Sequence, residues 1–362
     1  MTPYLTFVAI AGLVALIIRG TSEQKGNFIA ISAKERELTW TPYLVCLCVA
    51  LIFFVSMRDV TVGADTGNYL GSLHYYAGIP WSDVLTAKLV YPYDYEPGYF
   101  LLTKICAHFY MSDHVFFLLI AVLIYSPLME FFGRYSDSPF LSFLIYCALS
   151  LFVYSLGIFR QMIALSICLF ATRWVDSNKP VFFAIAIGVA MTFHSSAICF
   201  ALLWFYKRFD VIKLLKIAIP ASIVCLIFGR VIALIAVRAL PQYAGYIGSK
   251  YDVEGGSYTM FMLLLFIAFI VLYALRNKSI FDKCPDVIRL SIFSLGIALC
   301  LQGASYSLGI MGRIMSYYTI FLTILVPYLM MHCLGRHGRI LSLYFVVPIS
   351  LVLFVSSLGS VV

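Results

Sequence analysis

Between Leu290 and Gly312 the chain carries no Asp, Glu, Lys or Arg, and the same holds from Pro139 to Phe159 and from Ile340 to Val362. Runs like these do not suit a water-soluble fold, because a bilayer-spanning helix needs only roughly 20 apolar residues. They are continuously apolar and do not alternate, so they read as helices and not as barrel strands. Charged residues make up 12% of the 362, about half the usual share of a soluble domain. The fold class that follows is an all-α polytopic integral membrane protein, a single transmembrane domain over 1–362. The net charge of +8 is spread over short loops between apolar runs. No basic, aromatic-laced soluble segment exists to bind nucleic acid, so these cations serve as topology signals.

Candidate spans are 3–18, 40–57, 115–132, 217–236, 258–275, 290–308, 313–332 and 341–359. The first, with no basic residue before it, reads as a retained helix and not a cleaved signal. Basic loops around Arg36, Arg134, Arg173, Lys207, Arg276 and Arg336 are expected in the cytoplasm. Regions 139–174 and 181–206 must then each enter and return, turning near Gly157–Gln161 and near His194–Ser196. The arms of the second are short, at about 13 residues against roughly 20 for a full crossing. A single crossing fits that length better but puts either the 207–216 basic residues or every later basic loop on the wrong side, so the hairpin is favoured. Its His194 turn is therefore expected part-way down, in a cavity open to the outside, where irregular backbone is tolerated. Segment 97–110, with Lys104 and His108 inside it, reads as a short re-entrant or interfacial helix. The sum is about twelve crossings, with outside loops at 58–97 and 238–257.

This topology gathers the unusual polar residues on one face. Arg58, Asp59, Asp65, Glu96, Arg160, Gln161, His194 and Arg313 all fall at outside ends or turns. Arginine near hydrocarbon costs at least about 2.5 kcal/mol, so it calls for a carboxylate partner or an anionic ligand. Its fork suits phosphate oxygens, which makes Arg58, Arg160 and Arg313 candidate pyrophosphate ligands; structural pairing with carboxylates fits them equally. His194, Asp65 and Glu96 are candidate bases for a hydroxyl. A structural hydrogen bond is the plain alternative for His194, and Glu96-Pro97 also fits an ordinary helix start. The ten cysteines lie mostly inside apolar runs and read as packing residues. No metal-ligand spacing and no cofactor motif is present.

Several segments together resemble a known family. Arg58-Asp59, Val62-Gly63-Ala64-Asp65-Thr66 with Tyr69, and Glu96-Pro97-Gly98-Tyr99 resemble the opening pattern of EpsG-like proteins, within the Wzy-type polymerases of bacterial surface polysaccharides. Phe159-Arg160-Gln161-Met162 is similar to that family's arginine-glutamine helix start, and Thr192-Phe193-His194-Ser195-Ser196 to its histidine-serine turn. Lys250-Tyr251 with Gly255-Gly256, and Gly312-Arg313-Ile314-Met315-Ser316, are similar to its distal loop and last arginine helix. The likeness spans roughly 50 to 330. Gly157-Ile158-Phe159 stands where the family often has an asparagine.

The resemblance implies a metal-independent, distantly GT-C-like glycosyltransferase at the outer face of the bacterial inner membrane. Its substrates would be oligosaccharide repeat units on undecaprenyl pyrophosphate, joined into O-antigen, capsule or exopolysaccharide. Asp59, Gln161 and Tyr251 would add substrate contacts. A flippase upstream and a chain-length-regulating co-polymerase are the implied partners. Two other functions fit a polytopic chain with membrane arginines: a lipid-linked oligosaccharide flippase, which would spread polar residues through the full depth and often show internal repeats, and a membrane O-acyltransferase, which also uses a membrane histidine.

Overall fold

The computed structural model describes residues 2–23, 33–85, 95–239, 256–276 and 281–359, and every regular element among them is helical. Tyr251 and most of the 238–257 segment lie outside the described residues. Four described helices are long and apolar enough to cross a membrane: Asp113–Tyr135, Val211–Ile232, Asp286–Ser305 and His337–Leu358. Two bent pairs, Pro139–Ala148 with Leu151–Gly157 and Met311–Thr319 with Leu322–His332, raise the number to six if each is one span. The expected twelve is not reached on length and composition. Thr2–Ile17, Thr41–Ser56, Pro180–Phe193 and Tyr258–Ala274 are apolar but shorter.

The chain forms two compact units, one of residues 1–198 with 345–362 and one of 199–344. In chain order the first unit contains α1 (Thr2–Glu23), α2 (Ala33–Ser56), α3 (Thr66–Ala77), α4 (Trp81–Leu85), α5 (Pro97–His108), α6 (Asp113–Tyr135), α7 (Pro139–Ala148), α8 (Leu151–Gly157), α9 (Phe159–Asp176) and α10 (Pro180–Phe193).

Side-chain contacts fix how these helices run. At the start of α6, Phe116 and Phe117 meet Phe159 at the start of α9. At the far ends of the same two helices the Tyr135 hydroxyl donates to Asp176 at 2.6 Å. α6 and α9 are therefore parallel, and α7–α8 makes the return between them. The return bends by 67° at Leu149-Ser150, where Ser150 takes a left-handed φ of 62°; no proline or glycine in the sequence marks that bend. Trp174 stacks on Phe182 at 5.9 Å, so α10 turns back along α9. The sequence-expected turn near Gly157–Gln161 falls at the break between α8 and α9.

The 58–97 segment is more structured than a loop, since it holds α3 and α4. The short α5 packs on α3 through Lys104, which is only 2% exposed. The Lys104 ammonium donates to the carbonyls of Tyr76 (2.7 Å) and Ile79 and faces the Trp81 ring. It thereby adds a charged donor to the Tyr76 carbonyl, which also accepts from Ile79 N at 3.3 Å, and ties the turn after α3 to α5.

After α10 the chain winds as a 3-10 helix over Ser195–Arg208, 14 residues, far longer than the usual three or four. At about 2.0 Å per residue it covers about 28 Å, against about 21 Å as an α-helix. The shortness of this arm in residues is thus largely offset by its pitch.

In the second unit, α11 (Val211–Ala239), α12 (Tyr258–Ala274), α14 (Ile310–Thr319) and α15 (Leu322–His332) pack on α13 (Asp286–Ser305). The buried Ser291 and Ser294 of α13 are small enough to let neighbouring backbones approach. Gln302 donates to the Ser257 carbonyl at 3.1 Å, just before α12. A last helix, α16 (Arg336–Leu358), ends in the first unit.

Candidate active site

Three elements of the first unit meet at one carboxylate. Glu96 is the N-cap of α5, with Pro97 at the first helical position, where proline's fixed φ and missing N–H cost nothing. The Glu96 side chain does not cap its own helix. Its Oε2 accepts from Arg160 Nη1 at 2.6 Å. Its Oε1 pairs with His194 Nδ1 at 2.9 Å and accepts from the backbone N–H of Ser195 at 3.2 Å.

Each partner is presented by a helix end. Arg160 is the second residue of α9. His194 is the extended residue (φ −158°, ψ 120°) that ends α10, and Ser195 opens the 3-10 segment. Gly98 brings α5 onto the end of α10. A Cβ there would overlap the Thr192 Oγ1 and lie 2.9 Å from the Thr192 carbonyl oxygen. Glu96, Arg160 and His194 are half-buried, with side chains 18%, 26% and 25% exposed.

Burial alone would raise the Glu96 pKa. The hydrogen bond from His194 and the Arg160 charge outweigh it and hold the carboxyl down at about 2. The group is thus an acceptor-only carboxylate at neutral pH. A neutral His194 must then carry its proton on Nδ1, which leaves the Nε2 lone pair to accept one. An acid that fixes the tautomer of an imidazole base has the same logic as the acid of a Ser-His-Asp triad.

Aromatic rings surround Arg160. Its guanidinium lies 4.7 Å from the Tyr95 ring centroid and beside the Tyr69 hydroxyl. Tyr69 is buried and stacks on Phe159 at 4.7 Å. The Tyr95 hydroxyl donates to the Asn68 carbonyl at 3.2 Å.

Arg58 has a different setting. It is 6% exposed, and donates from Nη1 to the Val55 carbonyl and from Nη2 to the Leu156 carbonyl, both at 3.0 Å. Its guanidinium also sits 4.0 Å from the Phe117 ring centroid. Burial lowers its pKa to about 10, so it stays charged at neutral pH. The loop after it is locked against the α8–α9 break. Gly63 has φ of 107°, and a Cβ there would run into the Leu156 carbonyl. Opposite, a Cβ on Gly157 would lie 2.7 Å from Ala64 N.

Asp59 is exposed and accepts from Thr61 N and Thr61 Oγ1 at 2.9 and 2.7 Å; these hydrogen bonds lower its pKa. Asp65 is half-buried at the N-cap of α3 without a capping bond. Gln161 is 2% exposed. Arg313 belongs to the second unit, half-buried on α14.

Of the residues singled out in the sequence, the structure joins Glu96, Arg160 and His194 directly. It links the Arg58–Tyr69 loop to them through Leu156, Gly157 and Phe159. Tyr95 and the Ser195 N–H were missed. Tyr95 is the last of three alternating tyrosines, Tyr91, Tyr93 and Tyr95, with nothing in the sequence to distinguish it, and a backbone donor has no sequence signal.

The EpsG family model matches residues 42–361. No significant match is found among curated proteins or solved structures.

Proposed function

The chain belongs to the EpsG family of Wzy-like polysaccharide polymerases, and from that premise we propose that it joins undecaprenyl-pyrophosphate-linked repeat units at the outer face of the bacterial inner membrane. A multi-pass membrane protein of glycosyltransferase-like polymerase type follows from the family and the apolar helices. The observation that supports transfer from undecaprenyl pyrophosphate is the Glu96 carboxylate shared between Arg160 and His194. It sets a polarised base and a cation side by side, as the transfer of a glycan from pyrophosphate to a hydroxyl requires.

In this reading the growing glycan is bonded through its anomeric carbon to undecaprenyl pyrophosphate. The acceptor is a hydroxyl on the next lipid-linked unit. His194 Nε2 takes the hydroxyl proton as the oxygen bonds to the anomeric carbon. The bond to pyrophosphate breaks, and the leaving group keeps the electron pair. Arg160 lies where that developing charge is stabilised; a guanidinium carries more N–H donors than the one given to Glu96. Arg58 holds the α2 end to the α8 end and positions α9. Arg313 remains a candidate phosphate ligand on sequence grounds, Asp65 a candidate base, and Asp59, Gln161 and Tyr251 candidate substrate contacts.

Crossings of about 12 in all are also part of the proposal. The long and bent helices, the four shorter ones, α9 and the 3-10 segment together provide them. Arg134 and Arg173, which share Glu130 at the opposite end of α6 and α9, supply the positive charge expected on the cytoplasmic side.

The test is reconstitution. Purified protein in liposomes, given undecaprenyl-pyrophosphate-linked repeat units, should produce a ladder of glycan lengths and release undecaprenyl pyrophosphate. Movement of intact repeat units across the bilayer without new linkages would establish a flippase. Acyl transfer without chain growth would establish an acyltransferase.

A further inference from the structure

We infer that Glu96 is the charge balance of this site: it keeps Glu96, Arg160 and His194 neutral as a group at rest, so that the group becomes a net cation only when His194 takes the acceptor's proton. This rests on the reading that pyrophosphate leaves beside Arg160. The convergence on Glu96 is the observation. One carboxylate faces Arg160 on one oxygen, and His194 and the Ser195 N–H on the other. With Glu96 ionised and His194 neutral, one negative charge meets one positive charge. The phenols of Tyr69 and Tyr95, which line the guanidinium, add no charge at neutral pH.

A permanently cationic site would bind substrate, transition state and product pyrophosphate alike. Such uniform binding does not speed the chemical step, and it retains the product; only interactions stronger in the transition state accelerate it. Here proton transfer itself creates the extra charge. As the hydroxyl oxygen attacks the anomeric carbon, its proton moves to His194 Nε2. The imidazolium that forms is held by Glu96 through Nδ1. Arg160 is then no longer fully offset just as the glycosidic oxygen departs with its electron pair. When His194 passes the proton to water or to the departing phosphate, the group is neutral again and undecaprenyl pyrophosphate is released. Glu96 is a positioning residue in this scheme. It touches no reacting atom and acts through the two residues that do.

The experiment is binding of undecaprenyl pyrophosphate, measured in detergent micelles for wild type and Glu96→Gln, with gel filtration as the check on folding. Removing the single balancing charge should tighten binding by about tenfold, the effect of roughly 1.4 kcal/mol, while turnover falls. Equal or weaker binding by folded Glu96→Gln overturns the inference. If that variant does not fold, His194→Lys gives the same test. A fixed ammonium beside Glu96 makes the group a net cation at rest, so binding should again tighten by about tenfold, the effect of roughly 1.4 kcal/mol. Equal or weaker binding by folded His194→Lys overturns the inference. The two proposals fail separately: wild type that binds undecaprenyl pyrophosphate but makes no polymer defeats the polymerase reading, whereas an active wild type with no affinity change in Glu96→Gln defeats only the charge balance.

Discussion

Gly98 packs against Thr192 so closely that no side chain fits between them, its missing Cβ falling on Thr192 Oγ1. Two residues before Gly98 is Glu96, and two after Thr192 is His194. This backbone approach of α5 to α10 is what sets the 2.9 Å contact between Glu96 and His194. Gly98→Ala should push the two helices apart and cost about 1–3 kcal/mol of stability, the usual penalty of overpacking. Glycan chain growth should fall further than protein level does. Normal chain growth by Gly98→Ala would show that the contact is not needed.

His194→Gln keeps a donor for Glu96 but has no basic nitrogen. Turnover should drop by about 10²- to 10⁴-fold, the typical worth of a general base, with affinity for the lipid-linked substrate nearly unchanged. Steady-state kinetics on the reconstituted protein separates the two effects. A variant that loses affinity and keeps its turnover number would make His194 a ligand instead.

Arg58→Met should damage the fold before the chemistry. The guanidinium ties the Val55 and Leu156 carbonyls together, and losing hydrogen bonds from a buried charged group costs about 1.5–3 kcal/mol each. Thermal unfolding in detergent should shift down while undecaprenyl pyrophosphate affinity at low temperature holds. The reverse pattern would place Arg58 on the pyrophosphate.

The pH dependence follows from Glu96. Its pKa is lowered to about 2, whereas a free glutamate titrates near about 4.3. The stability it contributes is therefore fully present above about pH 5 and is lost as pH falls toward about 2, where the folded-state group protonates. Acid unfolding of Glu96→Gln should show a shallower fall across that window than wild type. Parallel acid-unfolding curves would mean that Glu96 is not held ionised by its partners.

The helical class was legible in the sequence, because apolar run length reports directly on helix placement. The α8–α9 break also fell where Gly157 and Arg160 interrupt the apolar run. The pairing of Glu96 with Arg160 was not legible. The two are 64 positions apart, and only packing of α5, α9 and α10 brings them together. Arg58 looked like the other arginines, since its type and position did not reveal that two carbonyls surround it. The bend at Ser150 and the 3-10 winding after His194 arise in sequence no different from the apolar helices around them. Helix counting by length suffers for that reason, since a span that bends or winds more tightly uses residues differently from a straight α-helix.

The central claim is that Arg160 and His194, held by Glu96, polymerise a lipid-linked glycan. The most direct measurement is the length distribution of surface glycan in a deletion strain complemented with wild type, Arg160→Ala or His194→Ala, at matched membrane levels of protein. The account predicts a full ladder with wild type and single repeat units with either variant. A full ladder from both variants would contradict it.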